Sequence, residues 1–276
     1  MRYLLLRLLP KNLFSRLAGI LADLELPQPI LISIIQLYCQ FYDVKRHEMK
    51  TPIGSMRSFN DFFTRELKPE LRPIDGTPGG VVSPVDATIA EFGDIKQDLL
   101  VQTKGILYSL TDLVGEKSAA IFKDGYFVTL YLSPADYHRI HVPISGKIKS
   151  FSYFSGNLWP VNSLGVKNVG GLFSLNERIV TPIEGDHGTV GLVKVGATIV
   201  GKIKVNYSDL SSNCRKPTQL NLPIIPERKY LKGDEIGQFQ LGSTVILLFE
   251  KGKFKPVDLQ SDAPVKLGQL IGMMKG

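Results

Sequence analysis

Beyond about Val81 the sequence consists of short apolar runs separated by glycine, proline and aspartate, and this alternation limits the possible folds more than any other feature. The runs are rich in valine, isoleucine, phenylalanine and tyrosine, which favour strands, and the residues between them favour turns. The runs cover residues 88–92, 126–132, 146–154, 189–195, 198–205 and 243–250. The pattern predicts a β-rich domain whose strands are mostly antiparallel.

The N-terminal part has a different sequence pattern, which predicts helices. Over residues 4–24 the leucines and isoleucines recur at spacings of three and four, as on one face of a helix interrupted near Pro10. Residues 29–42 predict a second, more buried helix, and residues 58–67 predict a third with Ser58 as its cap. The chain is therefore predicted to be α+β, with a helical N-terminal arm followed by one β-rich domain.

The first predicted helix carries basic residues at Arg2, Arg7, Lys11 and Arg16. A basic amphipathic helix can lie in a lipid interface, with arginines at the headgroups and leucines below, but packing on the protein's own core explains the pattern equally well. The formal net charge of +7 suits either nucleic acid or an acidic lipid surface. A nucleic-acid-binding module would need basic residues interleaved with surface aromatic residues, and the sequence has no such cluster.

Composition allows a large core but predicts no membrane-spanning helix. Hydrophobic residues make up 43% of the 276 residues and charged residues 21%, which argues against global disorder. The longest apolar stretch without a charge, residues 26–42, contains two prolines and falls short of the roughly 20 residues that a spanning helix needs. Two cysteines, Cys39 and Cys214, are too few for a disulfide framework and favour a reducing compartment.

A Gly-Ser pair, Gly242 and Ser243, stands at the entrance of the last of these apolar runs. Such a pair is ordinarily a turn, but it also permits self-cleavage, because the serine hydroxyl can approach a glycine carbonyl closely and convert the amide into an ester. Removal of the serine α-proton then expels the glycine carboxylate and leaves dehydroalanine, which hydrolyses to a pyruvoyl group. The step needs a β-heteroatom, so serine is suitable and alanine would not be.

The serine needs a base, and histidines are the candidates. His138 and His141 lie three apart in a polar segment bounded by prolines. They could belong to a metal site, although no cysteine or glutamate in the segment supplies a third ligand, or one could be a base while the other binds substrate. Asp86, on a loop before a predicted strand, could orient the base. The set has the nucleophile, base and orienter of a triad, in the chain order Asp, His, Ser.

Three separated motifs together carry a family resemblance: SPVDATI at 83–89, YHRIH at 137–141 and LGST at 241–244. Supporting stretches are GNLWPVN at 156–162, NER at 176–178 and VGATIVG at 195–201. In this order they resemble the bacterial type of phosphatidylserine decarboxylase over nearly the whole chain. The departures are modest: Ala87 stands where a glycine is common, and Trp159 lies in a variable stretch.

The resemblance implies a proenzyme that is cleaved between Gly242 and Ser243. Residues 1–242 would form the β chain, and residues 243–276 the α chain, capped by a pyruvoyl group made from Ser243. In this family Ser243 would be the nucleophile, His141 the base and Asp86 its orienter, while His138 would bind or protonate the substrate. The roles of the two histidines could be exchanged.

The implied reaction converts phosphatidylserine to phosphatidylethanolamine and CO2 through a Schiff base with the pyruvoyl group, as a step of phospholipid biosynthesis. The implied partners are phosphatidylserine, the anionic cytoplasmic surface of the cell membrane as a peripheral site, and a second α–β unit in a dimer, without nucleic acid or metal. Residues 1–75 would then associate with the membrane, and residues 76–276 would form the catalytic domain. Two alternatives share part of the pattern: a pyruvoyl-dependent decarboxylase of a soluble amino acid, and a Ser-His-Asp hydrolase that keeps its serine.

Overall fold

The computed structural model describes residues 11–103, 105–198, 202–210, 212, 219–240 and 243–276. This part of the chain contains seven α-helices: Lys11–Asp23 (α1), Gln28–Tyr42 (α2), Phe59–Phe63 (α3), Leu110–Val114 (α4), Glu116–Phe122 (α5), Ser163–Asn168 (α6) and Leu172–Leu175 (α7). Short 3-10 helices lie at Arg46–Glu48, Ile53–Ser55 and Pro69–Leu71. Among the described residues, none of the helices has the length and apolar character needed to cross a membrane.

The strands of the described part all follow the third helix in the chain. They are Gly80–Val82 (β1), Ala87–Asp94 (β2), Leu99–Thr103 (β3), Ile106–Ser109 (β4), Tyr126–Leu132 (β5), Arg139–His141 (β6), Gly146–Phe154 (β7), Arg178–Gly185 (β8), Gly188–Val195 (β9), Lys202–Val205 (β10), Gln219–Tyr230 (β11), Glu235–Gln240 (β12), Ser243–Phe249 (β13), Phe254–Pro256 (β14), Pro264–Val265 (β15) and Leu270–Met274 (β16).

An eight-stranded sheet forms the centre of the protein, in the order β11-β7-β8-β9-β13-β5-β2-β15. Two three-stranded sheets, β10-β12-β6 and β1-β16-β14, and the hairpin β3-β4 complete the β structure of the described residues. The pairs within these sheets are antiparallel. The predicted α+β class with mostly antiparallel strands is confirmed.

Strand β13 is buried along its whole length because both faces of the central sheet are covered. Successive side chains of a strand point to opposite faces. Val245 and Leu247 therefore pack into a core shared with the two small sheets, whereas Ile246 and Leu248 pack into a second core with helices α4 to α7. By the same alternation Ser243 lies on the face of the small sheets.

The N-terminal helices match the predicted positions, but the expected burial of the second helix is wrong. Pro29 lies in the first turn of helix α2, where the N–H that proline lacks would have no partner within the helix. The helix ends at Tyr42, and its C-terminal cap, Asp43, has a left-handed φ of 56°. Only three of its residues are buried: Leu31, Ile35 and Cys39. The helix packs on one side, so its opposite face is exposed. Arg2 and Arg7, two basic residues of the first predicted helix, lie outside the described residues.

Helix α3 begins as predicted and ends sooner. The Ser58 hydroxyl accepts a hydrogen bond from the amide of Asp61 at 3.1 Å, as a helix cap does. The helix stops at Phe63 because the following residues pair with an earlier segment: the amide of Lys50 donates to the carbonyl of Glu66 at 2.9 Å. The predicted helix over 58–67 was thus too long.

The predicted strands largely coincide with observed ones, and short helices were missed. The runs at 126–132 and 146–154 match β5 and β7, and the run predicted at 198–205 appears as Lys202–Val205, with residues 199–201 outside the described part. Helices α4 to α7 were not predicted, because helices of four to seven residues are too short to show a clear period. The predicted division into residues 1–75 and 76–276 stays a prediction.

Candidate active site

Ser243 is the first residue of β13 and is fully buried. It lies opposite Leu132, the last residue of β5. Its Oγ has no hydrogen-bond partner among the described residues. Burying a hydroxyl without a hydrogen-bond partner costs about 1–3 kcal/mol, so the presence of one at this position calls for an explanation. Gly242, on the other side of the predicted cleavage site, lies outside the described residues.

His138 is fully buried, and one of its ring nitrogens has no partner among the described residues. Its Nδ1 lies 2.8 Å from the carbonyl oxygen of Asp136, which can only accept, so Nδ1 carries the proton. Nε2 therefore holds the lone pair, and it has no partner in the part of the chain that the structure describes. Burial, and then the positive charge of Arg65, lower the pKa of His138 to about 3. The imidazole is neutral at physiological pH.

The strand register brings His138 to the same end of the sheet as Ser243. The carbonyl of His138 accepts a hydrogen bond of 2.9 Å from the amide of Phe239, four residues before the serine. The segment that carries His138 also follows directly from Leu132, the cross-strand neighbour of Ser243. The two buried side chains, whose Oγ and Nε2 atoms have no partner among the described residues, therefore lie at the same end of the sheet.

His141 is half-buried on β6 and has both ring nitrogens occupied. Its Nδ1 donates to the carbonyl oxygen of Gly233 at 2.7 Å. Its Nε2 accepts from the hydroxyl of Tyr137 at 3.2 Å. Burial lowers the pKa of His141, so this imidazole is also neutral, with Nε2 as its basic nitrogen.

Asp86 is buried against cations rather than against a histidine. Arg72 donates to its carboxylate through Nη2 at 2.6 Å and Nε at 2.9 Å, and the amide of Leu267 donates at 2.9 Å. Burial raises the pKa of Asp86, but the hydrogen bond from Arg72 and the charge of Lys266 outweigh it and hold the pKa below its ordinary value. The carboxylate is ionised.

The structure brings the predicted residues close together without joining them into a hydrogen-bonded triad. The loop of Asp86 touches His141 through the backbone, because the amide of His141 donates to the carbonyl of Pro84 at 2.9 Å. Within the described residues, the carboxylate of Asp86 makes no hydrogen bond to either imidazole, and Ser243 makes none to a histidine. The assignment of roles among these side chains stays a prediction.

Sequence reasoning missed the cations around the site. Arg72 was not predicted as a site residue, although it pairs with both Asp86 and Glu48. Arg65 and Lys266 were not singled out at all. No local pattern marks these residues, because their partners come from distant parts of the chain. Among the described residues, no group of three or more metal-ligating side chains is assembled.

Comparison with known proteins identifies the family. The family model described as phosphatidylserine decarboxylase matches residues 59–273. The chain is 40% identical over 275 residues to a protein of Brevibacillus brevis named phosphatidylserine decarboxylase proenzyme, covering 98% of this chain and 97% of the relative. A protein of the same name from Myxococcus xanthus is 39% identical over 277 residues, covering 98% and 97%. Together with the arrangement around Ser243, these matches show that the chain belongs to the phosphatidylserine decarboxylase family.

Proposed function

We propose that this chain is a proenzyme that cleaves itself before Ser243 and then decarboxylates phosphatidylserine to phosphatidylethanolamine. The observation that carries the proposal is the buried hydroxyl of Ser243, which has no hydrogen-bond partner among the described residues. This hydroxyl is therefore not committed to a hydrogen bond with those residues and is available as a nucleophile. The names of the relatives supply the substrate class.

The residues around Ser243 fit a pyruvoyl group made in place. The serine begins a fully buried strand, so a ketone at this position would be held rigidly at the edge of the core. The free Nε2 of His138 provides a polar atom to meet the group or the substrate. When present, the pyruvoyl group accepts the electron pair released as CO2 leaves.

Self-cleavage is proposed to use the neutral imidazole of His141. Oγ of Ser243 attacks the carbonyl carbon of Gly242, and the C–N bond between the two residues breaks. The Gly242 acyl group is then joined to Oγ as an ester, and the nitrogen of Ser243 becomes a free amine. His141 is proposed as the base for this step, because its Nδ1 proton is committed to Gly233 and its Nε2 stays basic. Asp86 is proposed as the residue that orients this base, because the loop that carries it contacts the backbone of His141.

In turnover His138 moves a proton. The ammonium of the substrate must lose a proton before its amine can react, and the free Nε2 of His138 can take it. The same nitrogen can return the proton to the carbon that loses CO2. Because burial disfavours the imidazolium, His138 gives the proton up readily.

The cleaved chains are expected to stay together. The segment after the cleavage site begins with β13, which pairs with β5 on one side and β9 on the other. Breaking one peptide bond at the end of this strand leaves both ladders and both cores intact.

Mass spectrometry under denaturing conditions tests the proposal on the purified protein. We expect two fragments, residues 1–242 and residues 243–276, the smaller lacking a free amino terminus, together with CO2 release from phosphatidylserine vesicles and none from free serine. A single active chain with an intact serine would contradict the proposal and favour a hydrolase. Equal activity on free serine would favour a decarboxylase of soluble amino acids.

We also propose that helices α1 and α2 dock on a lipid surface. Their outer sides expose what we call the N-terminal apolar face: Leu17, Ile20, Leu21, Leu24, Ile30, Ile34, Leu37 and Phe41. Leu37 is 69% exposed and Phe41 78% exposed. A concentration of exposed apolar side chains of this kind marks an interaction surface, and a substrate anchored in a bilayer supplies the matching partner.

The double substitution Leu37→Glu and Phe41→Glu is expected to weaken flotation with phosphatidylserine vesicles by at least about tenfold, because each apolar side chain contributes roughly 1.5–3 kcal/mol when it leaves water. The control is Leu107→Glu with Leu175→Glu, two exposed leucines away from this face. Equal flotation of both double variants and the unsubstituted protein would refute the docking surface.

A further inference from the structure

Arg65 is a buried cation with unused hydrogen-bond donors. The residue is only 6% exposed. Its Nη2 donates to the carbonyl oxygens of Ala135 at 2.7 Å and Asp136 at 3.2 Å. Nε and Nη1 have no partner, and no carboxylate forms an ion pair with the guanidinium, within the part of the chain that the structure describes. Burying a cation without a counter-charge costs free energy unless a bound anion compensates its charge.

The guanidinium lies directly beside the proposed proton carrier. The carbonyl oxygen of Asp136 accepts from both Nη2 of Arg65 and Nδ1 of His138, so the two side chains meet at one atom. The ring of Phe63, two residues before Arg65, contacts the His138 ring with centroids 4.1 Å apart. The end of helix α3 therefore places a cation and an aromatic ring against the same imidazole.

Arg65 also lines a narrow cleft at the surface, together with Asp43, Lys45, Asp136, Tyr137 and Lys266. The cleft begins at the residue that follows helix α2, where the N-terminal apolar face ends. A lipid whose acyl chains lie along that face would have its headgroup at the mouth of this cleft.

Three of the four acidic side chains that line the cleft, those of Glu48, Asp86 and Asp136, have cationic or polar partners of their own. Arg72 binds both Asp86 and Glu48, at 2.6 and 2.7 Å. The carboxylate of Asp136 accepts from the amide and hydroxyl of Ser133, both at 2.8 Å. These acids therefore leave the Nε and Nη1 donors of Arg65 for an outside anion.

We propose that Arg65 binds the phosphodiester of the substrate headgroup and thereby sets the seryl group against His138 and residue 243. This inference rests on the proposed function. Arginine matches a phosphodiester well, because its planar fork can donate two parallel hydrogen bonds. The substrate carboxylate is the poorer candidate, because it loses its charge as CO2 leaves, and strong binding of the reactant alone would slow the reaction.

Binding at Arg65 would also change the acidity of His138. The charged groups that act on this imidazole are Arg65, which lowers its pKa, and Asp86, which raises it. A bound phosphodiester offsets the positive charge of Arg65, so the pKa of His138 rises when substrate is in place. The histidine then takes up a proton more readily at the moment when the substrate must release one.

The substitution Arg65→Gln tests the assignment with two substrates: dihexanoyl-phosphatidylserine, and O-hexyl-L-serine, which keeps the amino acid group and lacks the phosphodiester. We expect kcat/KM for the phospholipid to fall by about 10- to 100-fold, mainly through KM, and kcat/KM for O-hexyl-L-serine to change much less, because there only the acidity of His138 is altered. Arg65→Lys should lie between the two, because it keeps the charge without the fork. Equal losses on both substrates, or no loss on the phospholipid, would overturn the assignment.

A binding measurement separates this inference from the proposed function. In a Ser243→Ala background, which needs no cleavage or turnover, calorimetry with glycerophosphoethanolamine should show binding that Arg65→Gln removes. The matched control is Arg57→Gln, an exposed arginine near the same helix. Binding that survives Arg65→Gln, or that Arg57→Gln removes equally, would refute the role of Arg65. Absence of decarboxylation in the unsubstituted protein would instead count against the proposed function.

Discussion

Replacing Ser243 with alanine is expected to leave one uncleaved chain of 276 residues without decarboxylase activity. Alanine has the same backbone but no oxygen to attack the Gly242 carbonyl, so neither the ester nor the ketone can form. The substitution removes a buried hydroxyl without a partner among the described residues, so the fold should be retained. Denaturing mass spectrometry and CO2 release measure the two effects, and circular dichroism checks the fold.

Thr129→Val is the matched control for this experiment. Thr129 is a buried residue of β5, the strand that pairs with β13, and its replacement removes a hydroxyl from the same sheet without touching the cleavage site. We expect normal cleavage and activity. Two fragments from the Ser243→Ala protein would show that cleavage occurs elsewhere or by an added protease, and the proposed chemistry would fail.

Replacing His138 with alanine is expected to spare cleavage and to lower CO2 release by about 10²- to 10⁴-fold, the range for loss of a general acid or base. The reason is its free Nε2, the one basic ring nitrogen of the two site histidines that lacks a partner in the described residues. His141→Ala should block or slow cleavage instead. Both variants are scored by the ratio of cleaved to uncleaved chain and by turnover per cleaved chain.

An uncleaved His138→Ala protein would show that the roles of His138 and His141 are exchanged. Asp86→Ala should also slow cleavage, but it leaves Arg72 buried without its main partner, and breaking a buried ion pair costs about 3–5 kcal/mol. Asp86→Asn keeps the shape of the side chain and is the better variant, with thermal unfolding measured alongside. Slow cleavage in a protein of normal stability would support a role for Asp86 in processing.

Local sequence patterns were sufficient for the class, but among the described residues they predicted only six of the sixteen strands and three of the seven helices. Strands β5 and β7 match their predicted runs because apolar, β-branched and aromatic residues lie between clear turn residues. The cap of helix α3 at Ser58 was predictable for the same reason, since capping depends on residues three apart. Four short helices escaped prediction because a single turn or two has no measurable period.

The candidate site, too, could be predicted from the sequence only in part. His138 and His141 share one short segment, and Ser243 follows a glycine, so their proposed roles could be inferred from the sequence alone. The ion pairs around the site cannot be inferred in this way, because partners such as Arg72 and Asp86 are 14 residues apart in the sequence. The contact between Arg65 and the carbonyl of Asp136 spans 71 residues.

The sequence by itself determined the family, the antiparallel β domain and the residues proposed to cleave the chain, because each depends on residue type and short spacing. The tertiary structure alone decided which face of helix α2 is exposed and which polar atoms are left without partners. It also decided which cation lies beside His138. Those properties depend on what packs against each side chain from distant parts of the chain, and packing of that kind leaves no mark in a local pattern.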